Sequence, residues 1–178
     1  IVDRIPIGTG DGPGNIESAW RVGADLDATF RLARLGLSGT ELTFSGEWRN
    51  SRVEDPLTGI DRPISGSNIY HFNAELRRDI PTTDWAVGVY LESYNGNPEY
   101  TLDQRLHSGS QPPFSYAYVE HKDLMGLTGK LVLGNILDQR DWLSRDLYEP
   151  NRLGPIILSE SRTRHFGPIV TFELNGTF

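Results

Sequence analysis

A long alternation of apolar and polar side chains, over residues 20–32, constrains the fold of this chain more than any other feature. The seven even positions carry Trp, Val, Ala, Leu, Ala, Phe and Leu, and the odd positions carry Arg, Gly, Asp, Asp, Thr and Arg. Successive side chains of a β-strand point to opposite faces, whereas a helix of 3.6 residues per turn would mix the two sets. The segment therefore predicts a strand with one apolar and one polar face. At 13 residues it exceeds the roughly 5–6 residues of an average strand and suffices for the roughly 9–11 that cross a membrane.

Related patterns recur along the chain and predict six further strands, at residues 41–49, 70–77, 85–92, 114–121, 130–137 and 170–178. The strands at 114–121 and 130–137 carry apolar groups on both faces, so the pattern leaves the register of the first open. Seven strands result, or eight if another lies within 100–106 or 156–164. The predicted fold class is all-β, an antiparallel transmembrane β-barrel segment.

The connections between these strands alternate in length. Those at 33–40, 81–84 and 123–128 are short, whereas those at 50–68, 95–112 and 138–155 are long and rich in Gly, Pro and Asp. Outer-membrane barrels have short periplasmic turns and long extracellular loops. If the last strand runs toward the periplasm, every short connection falls on that side. Trp20, Trp48 and Tyr70 then lie near outer strand ends, and Trp85 and Phe178 near periplasmic ends, as in aromatic girdles.

Several short motifs point to a known family. They are Pro13-Gly14-Asn15-Ile16 before the long strand, Asp55-Pro56-Leu57-Thr58-Gly59, Arg62-Pro63-Ile64-Ser65-Gly66, Asn135-Ile136-Leu137-Asp138, and His165-Phe166-Gly167 before a last strand that ends on Phe178. In this order the motifs resemble the C-terminal barrel region of TonB-dependent outer-membrane receptors, over nearly the whole chain.

The resemblance implies a gated importer in the outer membrane of a Gram-negative bacterium, taking up a scarce solute such as a siderophore-like iron complex, a vitamin or a glycan. The implied partners are outer-membrane lipid, the receptor's own N-terminal plug domain, TonB and the barrel-assembly machinery. Receptors of this type have 22 strands and a plugged lumen. Residues 1–178 contain no plug domain and too few strands, so we expect them to be the C-terminal portion of a larger barrel.

The polar rows supply the candidate site residues. The residues predicted to line the lumen are Arg21, Asp25, Asp27, Arg31, Glu47, Arg49, His71, Glu75 and Arg77. The apolar row of the last strand, Val170, Phe172, Leu174 and Phe178, resembles the C-terminal signal for barrel assembly. The predicted outer loops carry Asp55, Asp61, Arg62, Asp103, Arg105, Asp141, Trp142, Arg145, Asp146 and Tyr148, which we interpret as solvated surface without a distinct subset.

Other functional classes find little support. The chain has no cysteine, its four histidines lack metal-ligand spacing, and no Gly-x-Ser-x-Gly elbow occurs, so we expect no metal, no cofactor and no enzyme activity. The net charge of −7 disfavours nucleic acid as a partner. The Gly-rich stretch 8–14 lacks the Lys-Ser/Thr ending of a phosphate loop and predicts a flexible outer loop. A passive porin, a small outer-membrane barrel enzyme and a soluble all-β sandwich or lipocalin-like barrel remain alternatives.

Overall fold

The computed structural model describes residues 2–16 and 18–176, which form antiparallel β-strands and one short 3-10 helix, Leu32–Leu35. In chain order the strands are β1 (Val2–Ile7), β2 (Gly10–Asn15), β3 (Ala19–Arg31), β4 (Thr40–Glu54), β5 (Asp61–Arg62), β6 (Asn68–Asp79), β7 (Trp85–Gly96), β8 (Glu99–Tyr100), β9 (Gln104–Gln111), β10 (Phe114–Leu124), β11 (Leu127–Gly134), β12 (Arg140–Tyr148), β13 (Ile156–His165) and β14 (Ile169–Asn175). No helix in this part of the chain is long and apolar enough to cross a membrane.

One sheet of twelve strands contains almost all of this structure. Seven strands lie side by side in the order β3, β4, β6, β7, β10, β11, β14, and each neighbouring pair is antiparallel. The short strands β5 and β8 pair with β4 and β9. Strands β9, β12 and β13 form a branch of the sheet. This branch joins the C-terminal end of β7, where Asn95 pairs with Gly109 of β9. The β1–β2 hairpin is a separate two-stranded sheet.

The branch continues three of the seven strands beyond a common break. β9 leads into β10, β11 into β12, and β13 into β14, each in the same direction as its continuation. The first break contains Pro112 and Pro113, which have no backbone N–H to donate to a ladder. The sheet therefore consists of seven long strands. Three of them, β10, β11 and β14, are continued past the break by β9, β12 and β13, at the end of the sheet where the long connections lie.

The side chain of Asn135 links two of the chain segments at this break. Its side chain is buried, its Oδ1 accepts from the Gln139 amide at 2.7 Å, and its Nδ2 donates to the Gly167 carbonyl at 2.9 Å. Its φ of 55° lies in the left-handed region, which Asn adopts more readily than most residues. On the other side, Ser115 accepts from the amides of Ile136 and Leu137 through its carbonyl and its hydroxyl. These hydrogen bonds keep the breaks in the three strands side by side in the sheet.

The predicted number of strands needs correction. The predicted count of seven to eight strands is wrong, because fourteen are present among the described residues. The seven predicted strands overlap the seven side-by-side strands, but the long connections also contain β5, β8, β9 and β12. β13 occupies 156–165, where the sequence left a possible eighth strand, and β9 overlaps the other such segment, 100–106. The sheet is also not closed into a barrel, since β3 and β14 are not paired with each other within residues 2–16 and 18–176.

The Gly-rich stretch at residues 8–14, predicted as a flexible loop, instead forms the turn and most of β2 in the β1–β2 hairpin. Its two-residue turn begins at Gly8, whose φ of 60° suits the first position of a hairpin turn of type II′. Pro6 and Pro13 lie within the hairpin and remove two backbone donors from it. The glycines thus allow a tight turn and a hairpin with few side chains on β2.

Candidate membrane-facing surface and outer charge cluster

One face of the seven-stranded sheet is apolar from edge to edge. A single row of paired residues crosses all seven strands as Phe30, Leu42, Leu76, Val89, Ala117, Leu133 and Val170. Many large apolar side chains of this face are exposed, from 38% at Leu76 to 72% at Val170, while Leu42, Phe44 and Phe72 are partly buried. Among the described residues, only Val53, Ile64, Ala86 and Tyr118 are buried and apolar or aromatic. The sheet therefore lacks a covering layer, and its apolar face is a surface rather than half of a core.

The pairing also resolves the register of β10, which the sequence left open. Val119 and Ala117 pair with Val87 and Val89 and so share the apolar face, while Tyr116 and Tyr118 point to the opposite one. Tyr118 is buried against the backbone of Gly88, where an added Cβ would collide with the tyrosine ring. A glycine on β7 thus provides the space for a tyrosine on β10.

The opposite face is polar and holds all nine residues predicted to line a lumen. Asp25, Glu47 and His71 lie in one paired row, and alternation places Arg21, Asp27, Arg31, Arg49, Glu75 and Arg77 on the same face. The Arg49 guanidinium contacts Asp25 at 2.5 Å, and Arg77 contacts Glu120 of β10 at 2.6 Å. This face is laced by ion pairs between strands. That it faces a lumen stays a prediction.

Part of the polar face is aromatic. Tyr90 and Tyr116 stack with ring centroids 4.7 Å apart, and the Lys130 ammonium lies 4.2 Å from the Tyr118 ring centroid. The Tyr118 hydroxyl donates to Glu75 at 2.8 Å. Tyrosine thus presents ring surface to its neighbours and a hydroxyl to the charged groups, which keeps the face polar where β7, β10 and β11 carry few charges.

Four charged residues from distant segments form a buried cluster at the end of the sheet where the long connections lie. We call it the outer charge cluster, and its members are Asp3, Asp55, Arg62 and Arg152. The Arg62 Nη1 lies 2.7 Å from Asp3, and its Nε lies 2.5 Å from Asp55. Arg152 contacts the same Asp55 oxygen at 2.7 Å. Their side chains are between 2% and 10% exposed. Charges are buried at low cost only when paired and hydrogen-bonded, and two cations here meet two anions.

Hydrogen bonds decide the ionisation of the two carboxylates. Burial alone disfavours the charged form of Asp55, but hydrogen bonds from Arg62, the Thr58 amide and Arg152 outweigh burial and lower its pKa to about 2. The pKa of Asp3 is lowered in the same way, as burial is outweighed by Arg62 and by the amides of Arg4 and Ser65. Both carboxylates are therefore charged at neutral pH.

The outer charge cluster also anchors the β1–β2 hairpin, which has no strand pairing with the large sheet. Asp3 on β1 accepts from Arg62 and from the Ser65 amide. Asp11 on β2 accepts from the Leu102 amide at 2.5 Å and pairs with Arg4. Two carboxylates thus hold the hairpin against the connections that contain β5 and β8.

Sequence reasoning missed this cluster. It treated Asp55 and Arg62 as solvated loop residues and gave no role to Asp3 or Arg152. The one local signal is Asp55-Pro56-Leu57-Thr58-Gly59, a turn in which the Asp55 side chain accepts from the Leu57 and Thr58 amides. The pairing itself joins residues up to 97 positions apart, which no local pattern reveals.

Several other predicted loop residues lie on strands. Arg105 is on β9, and Asp141, Trp142, Arg145, Asp146 and Tyr148 are on β12. Of the predicted assembly signal, Val170, Phe172 and Leu174 share the apolar face of β14, and Phe178 lies outside the described residues. A groove of about 610 Å³ lies along the branch between Tyr94, Asp141 and Arg164. Among described residues, no group of three or more His, Asp or Glu side chains is arranged to hold a metal ion.

Comparison of the chain with protein-family models, with curated proteins and with solved structures found no match. What can be said of function therefore comes from the chain's own motifs and from the geometry above.

Proposed function

We propose that this chain is the C-terminal part of the barrel of a TonB-dependent outer-membrane receptor, which imports a scarce solute. The observation that carries the membrane part of the proposal is the uncovered apolar face. It crosses all seven strands, and many of its large side chains are 38–72% exposed, which water would penalise and lipid would not.

The height of the apolar face supports the same proposal. Trp85 marks one end of this face on β7, and Asn95, paired with Tyr70, marks the other. At about 3.4 Å per residue, these ten steps span about 34 Å along the strand. With the tilt of about 35–45° typical of membrane barrels, the height is about 24–28 Å, close to the roughly 25 Å of an outer-membrane apolar band.

The chain directions support the orientation. The connections β3–β4, β6–β7 and β10–β11 are short and lie at one end of the sheet, while the long connections and the β1–β2 hairpin lie at the other. We assign the short connections to the periplasm. Trp20, Trp48 and Tyr70 then lie toward the outer surface and Trp85 toward the periplasm, as girdle residues would.

The membrane part is tested with two arginine substitutions that differ only in the face they reach. Leu26→Arg puts a charge on the apolar face, where the cost near mid-bilayer is about 2–4 kcal/mol. Thr29→Arg, on the polar face of the same strand, is the matched control. We expect Leu26→Arg to reduce the membrane-inserted fraction and Thr29→Arg to leave it nearly unchanged. Equal effects, or a wild-type protein that stays in the supernatant after detergent-free lysis and ultracentrifugation, would refute membrane insertion.

The transport part rests on the family resemblance and needs its own test. Cells carrying the complete receptor are offered a ferric siderophore, a cobalamin-type vitamin and an oligosaccharide, with and without TonB. We expect uptake of one of these below micromolar concentration only when TonB is present. Uptake that persists without TonB and rises linearly with concentration would indicate a passive porin instead.

A further inference from the structure

The apolar face of the sheet contains a groove along β6, β7 and β10, near the end with the short connections. Its volume is about 400 Å³, which lies within the roughly 300–1,000 Å³ of sites that hold small molecules. Its apolar lining consists mainly of Leu37, Leu76, Val87, Val89 and Ala117. Two polar side chains, Thr40 and Arg78, also line it. The groove thus combines a hydrocarbon surface with a cation and a hydroxyl.

The connection between β3 and β4 forms one end of this groove. Gly39 has a φ of 74°, and an added Cβ would collide with the carbonyl oxygen of Asp79. The Asp79 amide donates to the Gly39 carbonyl at 2.8 Å, and the Thr40 amide donates to the Leu37 carbonyl at 3.2 Å. The connection is therefore held against the end of β6, which fixes Leu37 and Thr40 at the end of the groove.

The two polar side chains of the groove have no partner within the described part of the chain. Arg78 pairs in the ladder with Thr40 and Val87, and its exposed guanidinium makes no ion pair or hydrogen bond there. Arg77, on the opposite face, instead contacts Glu120 at 2.6 Å. Thr40 is only 7% exposed, and its hydroxyl also lacks a hydrogen-bond partner among described residues. Leaving a buried hydroxyl unpaired costs free energy, so both groups favour a ligand that offers oxygen acceptors.

The depth of Arg78 in the proposed membrane agrees with such a ligand. Arg78 pairs with Val87, two residues from Trp85 at the periplasmic end of the apolar face, or about 7 Å along the strand. An arginine at this depth lays its stem along apolar surface and brings its guanidinium to the headgroup level. Leu76 and Val89 pair one step deeper, toward the hydrocarbon. The groove therefore runs from the headgroup level into the membrane.

We propose that this groove binds one anionic phospholipid of the periplasmic leaflet, of the phosphatidylglycerol class. The Arg78 guanidinium and the Thr40 hydroxyl bind the phosphate and its neighbouring ester oxygens, and an acyl chain lies along Val89 and Ala117. The inference rests on the proposed membrane insertion and adds a site that selects one class of lipid.

Charge complementarity selects the anionic headgroup. Among the described residues that line the groove, Arg78 is the only charged one. The ammonium group of phosphatidylethanolamine would find no carboxylate there, whereas phosphatidylglycerol has a net negative charge that the guanidinium matches. Hydrogen bonds between a guanidinium and a phosphate are among the stronger ones in proteins.

The test is native mass spectrometry of the complete gene product, purified in detergent and titrated with dioleoylphosphatidylglycerol or dioleoylphosphatidylethanolamine. We expect tighter binding of the first lipid. Arg78→Gln should weaken that binding about fivefold, which corresponds to the roughly 1 kcal/mol of an arginine near anionic lipid. Arg52→Gln is the matched control, because it removes the same charge from the opposite end of β4 and should leave lipid binding unchanged.

Two variants test the rest of the groove without changing its charge. Thr40→Val keeps the volume but removes the hydroxyl, and the loss of one hydrogen bond should weaken phosphatidylglycerol binding roughly two- to tenfold. Ala117→Leu fills the groove and should weaken the binding of both lipids.

Equal affinity for the two lipids, a preference that survives Arg78→Gln, an equal loss in Arg52→Gln, or unaltered binding in Ala117→Leu would overturn the proposal. Membrane fractionation of the same cells reports separately on the proposed function. A wild-type protein that is inserted but binds the two lipids equally refutes the lipid site alone, whereas one that stays in the supernatant refutes membrane insertion and the site with it.

Discussion

Removal of the guanidinium of Arg62 is the most informative change to the outer charge cluster. In Arg62→Met, Asp55 keeps its contact with Arg152, but Asp3 loses its only arginine while 4% exposed. Breaking a buried ion pair by removing one partner costs about 3–5 kcal/mol. We expect the lower end, about 3 kcal/mol, because one of the two carboxylates stays paired. At 1.36 kcal/mol per factor of ten, the open fraction of the hairpin rises roughly 150-fold.

Hydrogen exchange measured by mass spectrometry provides the assay, because peptides covering β1–β2 and residues 55–67 report local opening separately from the long strands. The matched control is Arg52→Met, since Arg52 and Asp61 form an Arg–Asp pair in the same region, with side chains 58% and 49% exposed. This control should leave exchange nearly unchanged. Adding Asp3→Asn to Arg62→Met should recover part of the protection, since it removes the unpaired buried charge. Unchanged exchange in Arg62→Met would refute the assignment of the hairpin's anchorage to this cluster.

Three further predictions concern other parts of the molecule. Because the pKa of Asp55 is lowered from 3.8 to about 2, its contribution to stability is full above about pH 4 and should be lost as the pH falls toward 2, seen as lower protection of the β1–β2 hairpin relative to the intrinsic amide exchange rate at each pH. Gly88→Ala should lower the free energy of unfolding, measured by urea titration, by about 1–3 kcal/mol, because its Cβ collides with Tyr118. In a Tyr118→Ala background, the same Gly88→Ala change should cost less than it does in the wild-type chain. Asn135→Ala should cost about 1–3 kcal/mol through two lost hydrogen bonds, with exchange rising first beside the strand break; unaltered exchange there would contradict its fastening role.

The sequence was informative where one face of a strand differs from the other. Residues 20–32 alternate without interruption, and the structure places β3 there, from Ala19 to Arg31. Five of the seven side-by-side strands were predicted for this reason, whereas those at 114–121 and 130–137 carry apolar groups on both faces. Strand β12 escaped prediction, and β9 and β13 were anticipated only as a possible eighth strand within 100–106 or 156–164, because none of the three alternates apolar and polar residues along its length. Arg162 and Thr163, for example, are adjacent and point to opposite faces of β13, and both are exposed.

The outer charge cluster was not predictable for a different reason. Asp3, Asp55 and Arg152 lie on three segments whose meeting depends on how the outer connections fold over the sheet. A charged residue in a Gly- and Pro-rich stretch is usually solvated, and no period in the sequence distinguishes a buried one. The strand count failed similarly, since strands within the long connections are set by their pairing partners rather than by an alternation of their own.

The common strand break has a consequence for how such a protein can diversify. Below the break, each residue of β10, β11 and β14 is bound to one register, because a shift by one position would exchange the two faces. Above it, β9, β12 and β13 pair in a ladder of their own, separated from the lower strands by connections that Asn135 and Ser115 hold in place. Insertions or deletions in the upper strands therefore leave the lower register intact. The break thus separates strands whose register is fixed by the two different faces of the sheet from strands whose length can change without altering that register.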